Sequence, residues 1–395
     1  MSLSLLRGPG AVLALTTPTS VLAPEAVLLR SRKRRRGPSS SSFSSSSHYS
    51  TAPPTKTTLV DPTTYTTNLL QQSDRSSYLI SHFFPQQHHR RPYLALRALN
   101  VELAQIRDSV SNEILGRIRV GWWRDAVRAL YASVEHSRAQ GAEGKLRKVP
   151  PHPVVQALHA ALLDPVLQAT PTSGLLYSEH HLQSLISARE DDLSSPSGPP
   201  TLAAVELYAE RTASRLGYLE LDLLGVRDPQ MDEVSSHIGK ARGLANLLAS
   251  IPFHARMRST PTAPTTGGGG RKAQQQQQRR LTIPQEYLLS RDVVEEEVYR
   301  LRADAPGLRD AIFDTATRAN DYLISARTSL QRAQFPGGQG KVPKVVYPAL
   351  VGAVPAQEYL HRLEKVNFDV FEPGLQTAGW RLSWALWRAS RTGSF

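Results

Sequence analysis

Leu96-Arg97-Ala98-Leu99-Asn100-Val101-Glu102-Leu103-Ala104 decides how the chain is read. Leu96, Leu99 and Leu103, continued by Ile106, fall at i, i+3, i+7 and i+10, which lines them along one stripe of an α-helix. Asn100 and Ala104 are four residues apart and share a second face, one turn from each other. The same spacing recurs outward from about Ser73, in 120–131, 154–167, 202–224, 234–251, 293–301, 308–330 and 356–363. Alternating patterns with hairpin turn pairs are nearly missing. An all-α body of nine or ten helices over 73–395 is therefore expected.

Low-complexity stretches interrupt this pattern. Residues 139–153 form a Gly/Pro/basic loop and 194–200 a Pro/Ser turn. Residues 256–280 hold four consecutive Gly and five consecutive Gln, too little apolar surface to offset ordering entropy, so a disordered insertion is expected there. The chain contains no cysteine, which excludes disulfides, Cys-ligated zinc, iron–sulfur clusters and thiol nucleophiles.

Charge is concentrated at the N-terminus. The first 60 residues carry eight Lys/Arg against the single acid Glu25, so +7 of the net +13 sits there. The run Arg32-Lys33-Arg34-Arg35-Arg36 precedes eight serines between Ser39 and Ser47. A positive, acid-poor, Ser-rich leader suits a mitochondrial presequence, with cleavage expected near Ser50 and the mature chain on the matrix side. A secretory core at 11–29 is interrupted by Pro18, Pro24 and Glu25, and the basic run also fits a nuclear signal. The remaining +6 is mixed in sign along the body, which does not favour nucleic acid. No window reaches the ~20 apolar residues of a membrane span, so at most a peripheral contact with the inner membrane is expected.

Several stretches together resemble the squalene/phytoene synthases. The opening segment is similar to that family's R-x-x-D-x-x-x-D helix and is followed by Val120-Gly121-Trp122-Trp123-Arg124. A second block runs from Tyr208-Ala209-Glu210-Arg211-Thr212-Ala213-Ser214 through His237-Ile238-Gly239-Lys240-Ala241 to Asn246-Leu247-Leu248-Ala249-Ser250-Ile251-Pro252-Phe253-His254. Arg280-Leu281-Thr282-Ile283-Pro284 then resembles the family's R-x-Y-x-P. The resemblance implies an isoprenoid-synthase-like helical bundle around a central cavity. In such enzymes two D-x-x-x-D pairs hold Mg²⁺ against a diphosphate, because hard cations need oxygen ligands and neutralise the leaving group.

Here the four aspartate positions hold Asn100, Ala104, Ser250 and His254, and Pro252 is expected to bend the second helix. An amide, a methyl, a hydroxyl and an imidazole do not balance divalent cations, so neither metal nor cofactor is expected. Glu102 lies on a different face from Asn100, whereas Asp108 continues that face by one turn; both read as ordinary helix acids. Arg97, Glu102, Asp108, Tyr208, Lys240 and Asn246 are the candidates for cavity or docking roles.

The strings 96–111 and 236–241 are similar to a branch of this superfamily that serves complex I assembly without the aspartate motifs. That likeness implies a non-catalytic role beside complex I assembly intermediates or other assembly factors. The alternatives are a prenyl transferase with unusual metal ligands and a lipid-binding module whose cavity holds a lipid or isoprenoid. The pairs His88-His89 and His180-His181 have poor zinc spacing and read as surface residues. Trp380, Trp384 and Trp387 share one face of a terminal helix beside Arg381, Arg388 and Arg391. That face is expected to dock on the core, with an interfacial membrane helix as the other reading.

The leader is tested by fusing residues 1–60 to a fluorescent reporter. Mitochondrial import with cleavage near Ser50 is expected; nuclear accumulation would overturn the assignment.

Overall fold

The computed structural model describes residues 61–84, 86–110, 112–140, 148–168, 176–195, 197–256, 279–333, 343–377, 379–392 and 395. The expected leader and most of the insertion, 257–278, lie outside them. Every regular element among the described residues is helical.

Helix Pro62–Ser73 comes first, ahead of the expected start at Ser73. Its first turn is set by Pro62, whose missing N–H needs no partner there, and by the Asp61 carboxylate, which accepts from Thr64 N–H at 2.8 Å. Its only buried residues are Thr66 and Leu70, so too few apolar side chains repeat for the helix to show in the sequence. Helix Glu179–Leu193 was not expected either. It buries Leu182, Leu185, Ile186 and Ala188, but a histidine pair at its start and Glu190-Asp191-Asp192 at its end dilute the apolar spacing.

The two helices singled out from sequence are Gln87–Ser109 and Pro229–His254. The first buries Leu96, Leu99, Leu103 and Ile106, the stripe read from their spacing. The second passes through Pro252 and ends two residues later, so the proline costs only a final-turn hydrogen bond. This helix is the centre of the body. It packs against Leu308–Arg332, Val354–Lys365 and the 202–223 segment, while Gln87–Ser109 lies across Pro62–Ser73 and Pro153–Leu162.

The 202–223 segment, expected as one helix, is Leu202–Ala209 and Arg215–Leu223 joined by a π-helical turn, Glu210–Ser214. That turn lies against Gly239 and Gly243 of the central helix. A Cβ on Gly239 would fall on the Ser214 backbone, and one on Gly243 would come within 2.5 Å of Ala209 Cβ. Two glycines one turn apart thus let the central helix meet backbone at Ser214 and a methyl at Ala209.

The terminal helix Trp380–Thr392 reverses one expectation. It docks through Leu382, Leu386 and Ala389, and Trp380, Trp384 and Trp387 are 75, 52 and 53% exposed. The sequence offers two apolar stripes on opposite faces, and the aliphatic one fits the core because small branched side chains pack more closely there.

Gly239→Ala tests the close approach. The helix-propensity gain of roughly 1 kcal/mol should be outweighed by an overpacking cost of about 1–3 kcal/mol or more, because the obstacle is backbone. A lower melting temperature by circular dichroism is expected, against a smaller loss for Gly121→Ala, where an added Cβ meets nothing within 4 Å.

Candidate functional site

Arg97 does not face an open cavity. It is 4% exposed and its guanidinium contacts the Glu220 carboxylate, which is 2% exposed. The Arg97 guanidinium also lies 5.5 Å from the Tyr93 ring centre, and burial pushes the Tyr93 hydroxyl up to about 12. Arg242 of the central helix donates to Ser77 Oγ at 2.9 Å and sits 3.9 Å from Asp74. Asp74 caps helix Arg75–Ile80 by accepting from Ser77 N–H. Two guanidiniums and two carboxylates therefore balance inside the core, since a buried charge needs a partner. Burial raises the Glu220 carboxyl, and Arg97 offsets part of that rise.

A second network occupies the ground between the two motif helices. Asn100 Oδ1 accepts from Arg189 at 3.0 Å, and Arg189 also donates to the Tyr208 hydroxyl while stacking over its ring. Three acids close helix Glu179–Leu193, where the negative end of the helix dipole disfavours them. Each takes an arginine from elsewhere: Glu190 from Arg124 at 2.5 Å, Asp191 from Arg211 at 2.6 Å, and Asp192 from Arg280 at 2.8 and 3.3 Å. Arg107 contacts the Asp192 carboxylate at 3.4 Å and donates to the Ser195 carbonyl at 2.7 Å. Burial raises the Asp192 carboxyl, but Arg280, Arg107 and Arg189 more than offset this and hold it below its ordinary value. Burial raises the Tyr208 hydroxyl, with Arg189 opposing. The outer edge of the expected insertion is thus anchored, because Arg280 belongs to this lattice.

The lattice reaches the second motif through Thr282. Its hydroxyl donates to the Leu247 carbonyl at 2.7 Å and lies 3.3 Å from the Ser250 hydroxyl, which donates to the same carbonyl. Ala104 and His254 are half-buried, the latter edge-on to Phe253. Lys240 sits 3.6 Å from Glu210 in the π turn, where burial raises the carboxyl but Ser236, Tyr218 and Lys240 together bring it below its ordinary value.

The other candidates lie apart. Glu102 accepts from the Tyr65 hydroxyl at 2.6 Å on the far side of its helix, Asp108 is half-buried near the helix end, and Asn246 is exposed. His88 is exposed and pairs with Asp164 at 2.9 Å, as a surface residue should. His181 departs from that reading: it is half-buried, and a ring nitrogen meets Arg215 at 3.1 Å.

The residues missed from sequence are Glu220, Arg189 and Asp192. Glu220 had a signal, an acid between Leu219 and Leu221 in an apolar run. Arg189 and Asp192 had none, because Asn100, Arg280 and Arg107, which they meet, lie 85 or more residues away in sequence. Around the end of helix Glu179–Leu193, five guanidiniums meet three carboxylates, and the pairing ties several helices together. Among the described residues no three His, Asp or Glu converge as metal ligands.

The helical body packed around one central helix defines a class. The squalene/phytoene synthase family model matches residues 70–266 and 270–388, and the chain belongs to that family. Its similar relatives include NADH dehydrogenase (ubiquinone) complex I, assembly factor 6, from Rattus norvegicus, 31% identical over 288 residues, 73% of this chain and 69% of that protein. The Homo sapiens counterpart is 29% identical over the same shares. Among solved structures, a dehydrosqualene synthase in complex with ligand superposes with a TM-score of 0.58 at 16% identity, covering 84% of this chain and 95% of that one. The squalene synthase HpnC from Alicyclobacillus acidocaldarius gives 0.54 at 14% identity over 78 and 95%. These likenesses show the fold.

Asp192→Asn tests the lattice. Losing charge-assisted bonds to Arg280 should cost about 2–3 kcal/mol in urea unfolding at pH 7. The folded carboxyl is held below its ordinary value, so its contribution is full above about pH 4 and fades as the pH falls through the folded value. The gap between parent and variant should narrow below that pH; a gap independent of pH would show that the carboxylate charge is not what matters.

Proposed function

We propose that the chain is a non-catalytic assembly factor for mitochondrial respiratory complex I, built on a prenyl-synthase fold. The observation that carries this reading is its likeness to relatives named as complex I assembly factor 6, at about 30% identity over nearly three quarters of the chain. The site supports it from the chemical side. Asn100 Oδ1 accepts from Arg189 and the Ser250 hydroxyl donates to the Leu247 carbonyl, and Arg280, Arg107 and Arg189 gather about Asp192, so these positions serve internal contacts. Without carboxylate ligands the departing diphosphate has no divalent counter-charge, and ionisation of an allylic substrate loses its largest stabilising contribution. The factor works on the matrix side, peripheral to the inner membrane, on assembly intermediates or with other assembly factors. The basic leader supports import to that side.

Two measurements separate this from the enzyme reading. Deleting the gene should lower assembled complex I and its NADH–quinone activity and leave sterol and carotenoid levels unchanged. The purified protein should release no pyrophosphate from farnesyl or geranylgeranyl diphosphate with Mg²⁺ and gain no Mg²⁺-dependent thermal stability from either. Pyrophosphate release by the unmodified chain, or altered isoprenoids with full complex I, would overturn the proposal.

A further inference from the structure

Helix Trp380–Thr392 carries two unlike faces. Leu382, Leu386 and Ala389 are buried against the body. On the opposite side, Trp380, Trp384, Trp387 and Arg391 fall within an arc of roughly 60° at 3.6 residues per turn. All three indoles are at least half exposed, and Trp380 is 75% exposed. Three large aromatics on one solvent-facing stripe are a cost to a protein that leaves them in water.

Their neighbours say what covers them. Arg381 and Arg388 lie along one edge of the stripe, the Arg388 guanidinium lies 5.6 Å from the Trp384 ring centre, and Arg391 lies 5.5 Å from that of Trp387. No acid occurs from Pro373 to Phe395. The same face borders a groove of about 1090 Å³ between this helix, Leu308–Arg332 and Val354–Lys365. Phe313, Phe368, Arg327 and Lys365 line it, together with the acids Glu358 and Glu364. Phe313 is 47% exposed, so the aromatic surface extends beyond a single helix.

We infer that this face docks on the surface of a bilayer containing anionic phospholipid. The inference deepens the inner-membrane part of the function proposed above and rests on it. Indole rings prefer the depth of the headgroups, where one edge is apolar and the N–H stays hydrated. Guanidiniums interleaved at the same level meet lipid phosphates, which they bind in bidentate fashion. Trp and Arg also serve at protein interfaces, but this segment has no acid from Pro373 to Phe395 to balance its guanidiniums, and an anionic surface supplies that counter-charge. No helix among the described residues is long and apolar enough to cross a membrane.

The test uses the purified full chain in flotation with two vesicle types, phosphatidylcholine alone and phosphatidylcholine mixed with phosphatidylglycerol. Flotation with the anionic vesicles is expected, weakened by salt and accompanied by a blue shift of tryptophan emission. Arg381→Gln/Arg388→Gln/Arg391→Gln should reduce anionic-vesicle partitioning by about tenfold or more. Trp380→Ser/Trp384→Ser/Trp387→Ser should abolish it. Both variants keep Leu382, Leu386 and Ala389, and an unchanged melting temperature confirms that the helix stays docked. Should the tryptophan variant unfold, quenching of the parent's tryptophan emission by bromine-labelled acyl chains decides the same question. No flotation, equal flotation on neutral vesicles, or full binding by the arginine variant would overturn the inference. So would a parent dimer that the tryptophan variant dissolves, which would assign the face to a second copy. Loss of complex I in a deletion strain whose protein does not float would remove this surface and leave the assembly reading standing; flotation with normal complex I would do the reverse.

Discussion

Everything in this body hangs on the ion pair between Arg97 and Glu220. Both are almost fully buried, so neither tolerates loss of the other: an uncompensated buried charge costs roughly 3–5 kcal/mol. The pair clamps Gln87–Ser109 to Arg215–Leu223. Arg242 and Asp74 repeat the arrangement beside it and bring in the central helix and the cap of Arg75–Ile80. Four elements are thereby fixed in register by charge pairing, a directional constraint that leucine packing alone does not impose. The close approach at Gly239 and Gly243 then follows, since the π turn is already held beside the central helix.

The same physics, applied where water still reaches, produces the second lattice. Three acids at a helix C-terminus are unfavourable in isolation, and arginines from four other segments make them acceptable. The result ties helix Gln87–Ser109 to helix Glu179–Leu193 and to the segment at Arg280 through side chains.

Much of this was legible beforehand. The stripe of Leu96, Leu99, Leu103 and Ile106 announced its helix because burial on one face imposes a 3.6-residue repeat on the sequence. The family likeness rode on ordered motifs, each at helical spacing. The helices Pro62–Ser73 and Glu179–Leu193 were hidden for the converse reason: few apolar residues, or acids and histidines diluting them. Of the site, Asn100 and Ser250 lie on the helices Gln87–Ser109 and Pro229–His254, and their hydrogen-bond partners were invisible in the sequence.

By itself the sequence determined the all-helical class and the concentration of charge in the first 60 residues, because periodicity and composition are properties of neighbours along the chain. Tertiary structure alone decided that Arg97 pairs with Glu220, that Asp192 gathers Arg280 and Arg107, and that Glu102 turns to Tyr65. It also chose which apolar face of Trp380–Thr392 enters the core. Each of those outcomes depends on groups far apart in sequence. Charge partners and competing faces are selected by which neighbours arrive in space, and no local pattern records that choice.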